Sequence, residues 1–144
     1  MSLFSVLSVG ASGMAAQRAR AELLVENLAN AETTRTPEGG PYRRKDVVFE
    51  STTVSSPFAS IFSSQFQPVG GVAVSSVVTD MSEPERRYMP GHPDADKDGY
   101  VAFPKINPAE DMVDLMGAAR SYGANVAAIA AVKDMIQRSL DLGR

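Results

Sequence analysis

The sequence predicts a mainly α protein in which long N- and C-terminal helices pack as a coiled-coil hairpin around a small irregular β-rich middle. Three observations carry that expectation. From the N-terminus, Leu3, Leu7, Gly10, Met14, Gln17, Ala21, Leu24, Leu28 and Ala31 fall at alternating spacings of four and three, with Gln17 the one strongly polar member. Toward the C-terminus, Met112, Leu115, Ala119, Tyr122, Val126, Ile129, Lys133, Ile136 and Leu140 repeat the pattern, with Lys133 the exception. The residues between carry no such repeat. A period of about 3.5 residues keeps one narrow apolar seam facing a partner helix. Two seams at opposite ends of one chain place the termini in a single packed unit, and seams this thin imply further helix partners.

Taken in order, the first helix is expected from about Leu3 to Ala31, within an N-terminal unit of residues 1–34. The run Thr33-Thr34-Arg35-Thr36-Pro37-Glu38-Gly39-Gly40-Pro41 ends it with β-branched residues, prolines and a glycine pair. Residues 35–107 form the middle segment. Tyr42 to Phe49 reads as a short extended stretch, residues 51–70 as a mobile serine-rich loop, and Val72 to Thr79 as a β-branched strand. Residues 83–108 hold five prolines and two glycines, which predicts a turn-rich path with one more short strand near Gly99–Phe103. The second helix then occupies 108–144, with Asn107 as N-cap, Pro108 in the first turn, Glu110 and Asp111 complementing the helix dipole, and an end near Leu142-Gly143.

Composition narrows the function classes. The chain has 144 residues, a net charge of −3, 44% hydrophobic residues and no tryptophan, so a thin alanine-rich packing is expected rather than a thick aromatic core. The small acidic balance argues against nucleic acid as a partner. With no cysteine, disulfides, thiol catalysis and thiolate metal sites are excluded. No stretch approaches the roughly 18 apolar residues of a membrane span. The opening MSLFSVLSVGASG lacks a basic n-region, and its seam runs on through Leu28, so it is read as a retained helix rather than a cleaved leader.

The sharpest local motif is Asp94-Ala95-Asp96-Lys97-Asp98-Gly99, which matches the first half of an EF-hand loop. The second half departs from it, with Ala102 and Lys105 where ligands belong, and Pro90, Pro93 and Pro104 forbid flanking helices. Asp94, Asp96 and Asp98 therefore read as an acidic turn, with weak cation binding the lesser alternative. His92, the only histidine, sits in a Pro-Gly-His-Pro turn without a nucleophile and reads as structural. Arg43-Arg44-Lys45 reads as a solvated or salt-bridged strand edge in preference to a phosphate or lipid contact. No catalytic constellation and no cofactor fingerprint is present, so an enzyme is not expected. The alanine runs, such as Ala127-Ala128-Ile129-Ala130-Ala131, suit both helix propensity and close approach of several helices.

Three stretches together resemble one family. Ser12-Gly13-Met14-Ala15-Ala16-Gln17-Arg18 leading to Glu26-Asn27-Leu28-Ala29-Asn30-Ala31 is similar to the N-terminal signature of the bacterial flagellar axial proteins, which form rod, hook and hook-associated structures. Gly40 to Phe49, and the run from His92 through Glu110-Asp111-Met112-Val113-Asp114-Leu115 to Ser121-Tyr122-Gly123-Ala124-Asn125-Val126, resemble the proximal-rod members of that family. The resemblance implies a structural subunit of the proximal rod in the flagellar basal body, polymerised into a helical tube that transmits torque and encloses the export channel. It implies export through the flagellar type III apparatus without a cleaved signal, a periplasmic location, and no enzyme activity or cofactor. The implied partners are further copies of the chain, other proximal and distal rod proteins and the rod–export-gate adaptor. On this reading Asn27, Asn30, Tyr122 and Asn125 organise helix packing and subunit contacts. Joined by Leu3, Leu7, Met14, Leu24, Leu28, Met112, Leu115, Val126, Ile129, Ile136 and Leu140, they form the expected subunit-packing set. An extracytoplasmic calcium-binding module or a coiled-coil adaptor is the alternative reading.

Overall fold

The computed structural model describes residues 3–53 and 70–143. The side chain of Leu3 lies outside the described residues, as does 54–69, where most of the expected mobile loop falls.

Helix α1 runs Leu3–Ala29, two residues short of the expected end. It stops because Asn30 turns its own side chain back: Nδ2 donates to the Glu26 carbonyl at 2.9 Å, and Oδ1 accepts from the Thr33 hydroxyl at 3.1 Å. Helix α2 runs Pro108–Leu142 and starts as its sequence predicts. The Asn107 side chain accepts from the Ala109 N–H at 3.2 Å, proline fills the first turn, and Glu110 and Asp111 follow it. The two helices are antiparallel neighbours. Gly10 lies against Ile129, Gly13 against Asn125, and Arg20 pairs with Asp114 at 3.8 Å, so numbers rise on one helix as they fall on the other.

Four strands form two antiparallel hairpins between the helices. Strand β1, Lys45–Thr53, pairs with β2, Gly70–Thr79, and both are longer than the sequence predicts; residues 51–53 are strand rather than loop. The register shifts between Val48 and Phe49, whose partners are Ser76 and Val74, leaving Ser75 as an extra bulge residue. The ribbon is pinned to α1 by Ser12, whose hydroxyl donates to the Val9 carbonyl at 2.8 Å and accepts from the Val72 N–H at 3.2 Å.

Strand β3, Glu85–Tyr88, pairs with β4, Tyr100–Phe103. The second of these is the strand expected near Gly99–Phe103; β3 was not expected, because Glu85-Arg86-Arg87-Tyr88 is polar and exposed along its length. It forms because β4 supplies the buried side chains, Val101 and Phe103, while Arg87 lies over the Phe103 ring at 4.9 Å. The core is correspondingly thin. Its buried apolar members are Ala16, Leu24, Tyr42, Val101, Phe103, Ala118 and Val132.

Candidate subunit-assembly surface

Among the described residues two polar side chains, Asn27 and Asp111, are fully buried, and both belong to the junction where the middle segment meets the helices. Asn27 uses its whole amide. Its Nδ2 donates to the Lys45 carbonyl at 2.9 Å, while Oδ1 accepts from the Lys45 N–H at 3.0 Å and from the Tyr42 hydroxyl at 3.1 Å. The amide thus acts as a short piece of backbone, locking the start of β1 against α1. Burial and the neighbouring Glu26 carboxylate push the Tyr42 phenol up to about 12, so it remains a donor at any physiological pH. Lys45 closes the same corner with Glu26 at 2.6 Å.

Asp111 faces Arg44, with Nη2 to Oδ1 at 3.0 Å, and Arg44 also reaches Asp46 at 3.4 Å. Among the described residues neither Asp111 oxygen has a well-aligned hydrogen bond. Burial accordingly pushes the Asp111 carboxyl above its ordinary range, Arg44 pulls it back, and Asp46, Asp114 and Glu110 add to the rise. The basic run is therefore a salt-bridged edge: Arg44 and Lys45 are both paired, and Arg43 is exposed.

The acidic turn is ordered by its own backbone. Asp96 Oδ1 accepts from the N–H groups of Asp98 at 2.9 Å and Tyr100 at 2.8 Å, and Gly99 takes φ +81°. Asp94 turns elsewhere, accepting from the Thr34 hydroxyl at 2.8 Å, with Arg35 at 3.8 Å. The carboxylates of Asp94 and Asp96 thus serve separate purposes, and among the described residues no group of three acids or histidines is arranged to hold a metal ion. His92 Nδ1 accepts from the Asp94 N–H at 3.1 Å and the ring stands edge-on to Phe103, a turn-bracing geometry.

The expected seams need correction. On α2 the inward stripe is Asp111, Leu115, Ala118, Asn125, Ile129, Val132 and Ile136. Leu115, Ile129 and Ile136 belong to the expected seam, but Asp111, Ala118, Asn125 and Val132 stand inward one place before Met112, Ala119, Val126 and Lys133. Met112, Tyr122, Val126 and Leu140 are exposed instead, at 58%, 42%, 45% and 69%. The polar side chains of Asp111 and Asn125 take inward places that apolar periodicity assigns to Met112 and Val126, while Lys133 yields its place to Val132. On α1, Leu24 is buried and Leu7, Met14 and Leu28 are half-buried, but the most enclosed positions also include Ala16 and Asn27. Asn27 organises the strand junction rather than a helix–helix contact, and Asn30 caps the helix end.

A continuous outer strip results. Ser8, Ala11, Ala15, Arg18, Glu22, Val25 and Ala29 are all exposed on α1, again at spacings of three and four. Met112, Met116, Ala119, Gly123, Val126 and Ala130 do the same on α2. On α2 the small and apolar side chains of this strip permit close approach of another helix, while on α1 the strip is interrupted by the paired Arg18 and Glu22. One shallow groove of about 170 Å³ lies between α1 and β1, with Leu23, Leu24, Val47 and Phe49 in its lining and Arg20, Lys45, Asp46 and Asp114 contributing charges. No described helix is long and apolar enough to cross a membrane.

Comparison with known proteins finds relatives along the full length of the chain. A family model described as the C-terminal part of the flagellar basal body rod FlgEFG proteins matches residues 97–142, from the acidic turn through β4 and α2. The flagellar basal-body rod protein FlgC of Bacillus subtilis is 42% identical over 152 residues, covering 100% of both chains. Its namesake in Borreliella burgdorferi is 39% identical over 147 residues and 97% of each chain. That of Salmonella typhimurium is 37% identical over 144 residues and the whole of both chains.

Proposed function

The chain belongs to the FlgC family of flagellar basal-body rod proteins, and we propose that it is a structural subunit of the proximal rod. Copies polymerise into a helical tube that transmits torque and encloses the export channel. The observation that carries this reading beyond the family match is the outer strip of α2. Met112, Met116 and Val126 stand in water along it. A lone soluble chain gains nothing from holding them there, whereas a packed tube buries them.

In the rod, α1 and α2 act as one unit and form the inner coiled-coil layer with the helices of neighbouring subunits. The middle segment, residues 35–107, faces outward and between subunits. Leu7, Met14, Leu28, Met112, Tyr122, Val126 and Leu140, each half-buried or exposed in the single chain, are the side chains that complete the helical packing. The partners are further copies, other proximal and distal rod proteins, and the adaptor joining the rod to the export gate. Delivery is through the flagellar type III apparatus without a cleaved leader, and the assembled position is periplasmic.

Deleting the gene in a motile strain and imaging isolated basal bodies tests the proposal. Basal bodies lacking a rod are expected; normal ones would overturn it.

A further inference from the structure

Helix α2 carries two overlapping seams, about half of one residue's 100° apart around the axis. Both include Leu115, Ile129 and Ile136, and Tyr122 lies on the same track although it is exposed in the observed seam. They differ only at Asp111, Ala118, Asn125 and Val132 in the observed seam, against Met112, Ala119, Val126 and Lys133 in the other. Apolarity favours the unobserved seam at two of those positions, through Met112 and Val126, and the observed one only through Val132. Yet Asp111 is fully buried, Val132 is 6% exposed, and Met112 and Val126 stand outside.

We propose that Arg44 is the counter-ion latch that holds α2 in its observed register, and that without it α2 rolls onto the Met112–Val126 seam. Arg44 is the cation facing Asp111, at 3.0 Å, and it reaches α2 from the segment just before β1, outside the helix pair itself. A buried carboxylate stripped of its partner is strongly disfavoured. Here it has an escape, because a small roll carries Asp111 to the solvent edge and replaces it with methionine. The contact between Asn125 and Gly13 does not oppose the roll, since glycine presents no side chain to interlock. Arg44 therefore acts as a positioning residue: it keeps Met112 and Val126 outward.

The chain has no cysteine, so single-thiol labelling reads the register directly in the full-length protein. With Arg44 intact, Val126→Cys is expected to label fast and Val132→Cys slowly. In Arg44→Ala the order inverts, with Cys at 126 protected several-fold and Cys at 132 exposed, while helical circular dichroism is retained. Adding Asp111→Leu to Arg44→Ala removes the stranded charge and restores the original order. Arg44→Gln, which keeps most of the side-chain volume, shifts labelling in the same direction as Arg44→Ala. An unchanged labelling order in the arginine variants overturns the proposal. So does fast labelling at both positions, because α2 has then come loose rather than rolled.

Discussion

Asn27 shows how one side chain can substitute for a stretch of backbone. Replacing it with alanine leaves the Lys45 N–H, the Lys45 carbonyl and the Tyr42 hydroxyl without their partner in a dry corner. The expected loss is about 3 kcal/mol, read as a lowered urea midpoint, since each stranded buried group costs roughly 1–3 kcal/mol. A loss below about 0.5 kcal/mol would mean that water replaces the amide. Asp111 gives the opposite kind of test. Its carboxyl is raised in the folded chain, so the fold holds this proton more tightly than the unfolded chain does. The resulting stability is complete below the ordinary carboxylate value of about 3.9 and is lost as pH rises through the raised value. Asp111→Asn mimics the protonated state at every pH. Urea midpoints are therefore expected to move in the variant's favour between acid and neutral pH; movement toward the native chain would show that Arg44 outweighs burial. Sequence alone picked out Asn27 but assigned it to helix packing, because nothing in the helix pattern reveals that β1 returns to this point. Asp111 was read as a dipole partner in the first turn. Its burial depends on Arg44, 67 positions earlier in the chain.

At the level of elements, glycine marks the places where two pieces of chain touch. A β-carbon on Gly10 would stand 3.0 Å from Ile129 Cγ1, so Gly10→Leu forces α1 and α2 apart at that point. A cost of about 1–3 kcal/mol and a lower thermal midpoint are expected, as for other overpacked interiors. Gly99 combines φ +81° with a would-be β-carbon 2.9 Å from the Tyr88 ring. Gly99→Ala should therefore cost at least about 1 kcal/mol and selectively increase amide exchange across β3 and β4. Uniform exchange across the whole chain would refute that local assignment. The helices were legible because caps are local chemistry: Asn107, Pro108 and the first-turn acids Glu110 and Asp111 mark the start of α2 within five residues of chain. Strand β3 was not legible, because its four polar residues gain order only from pairing with β4.

Across the whole molecule, the outer strip separates stability from assembly. Met116→Glu and Val126→Arg change exposed positions, so the free chain's stability should move by no more than about 0.5 kcal/mol. Both should abolish swimming in soft agar when they replace the native chain in a deletion strain. Full motility with both charges in place would argue that this face meets nothing in the rod. The sequence by itself determined the two long helices, the near-exact start of α2, the acidic turn and the family, because capping, turn chemistry and signature residues act over a few neighbouring positions. Tertiary structure alone decided which side of α2 faces inward. The two candidate seams differ by half a residue's rotation, a difference that apolar periodicity does not resolve. A contact made from outside the helix pair, by Arg44 to Asp111, settles it.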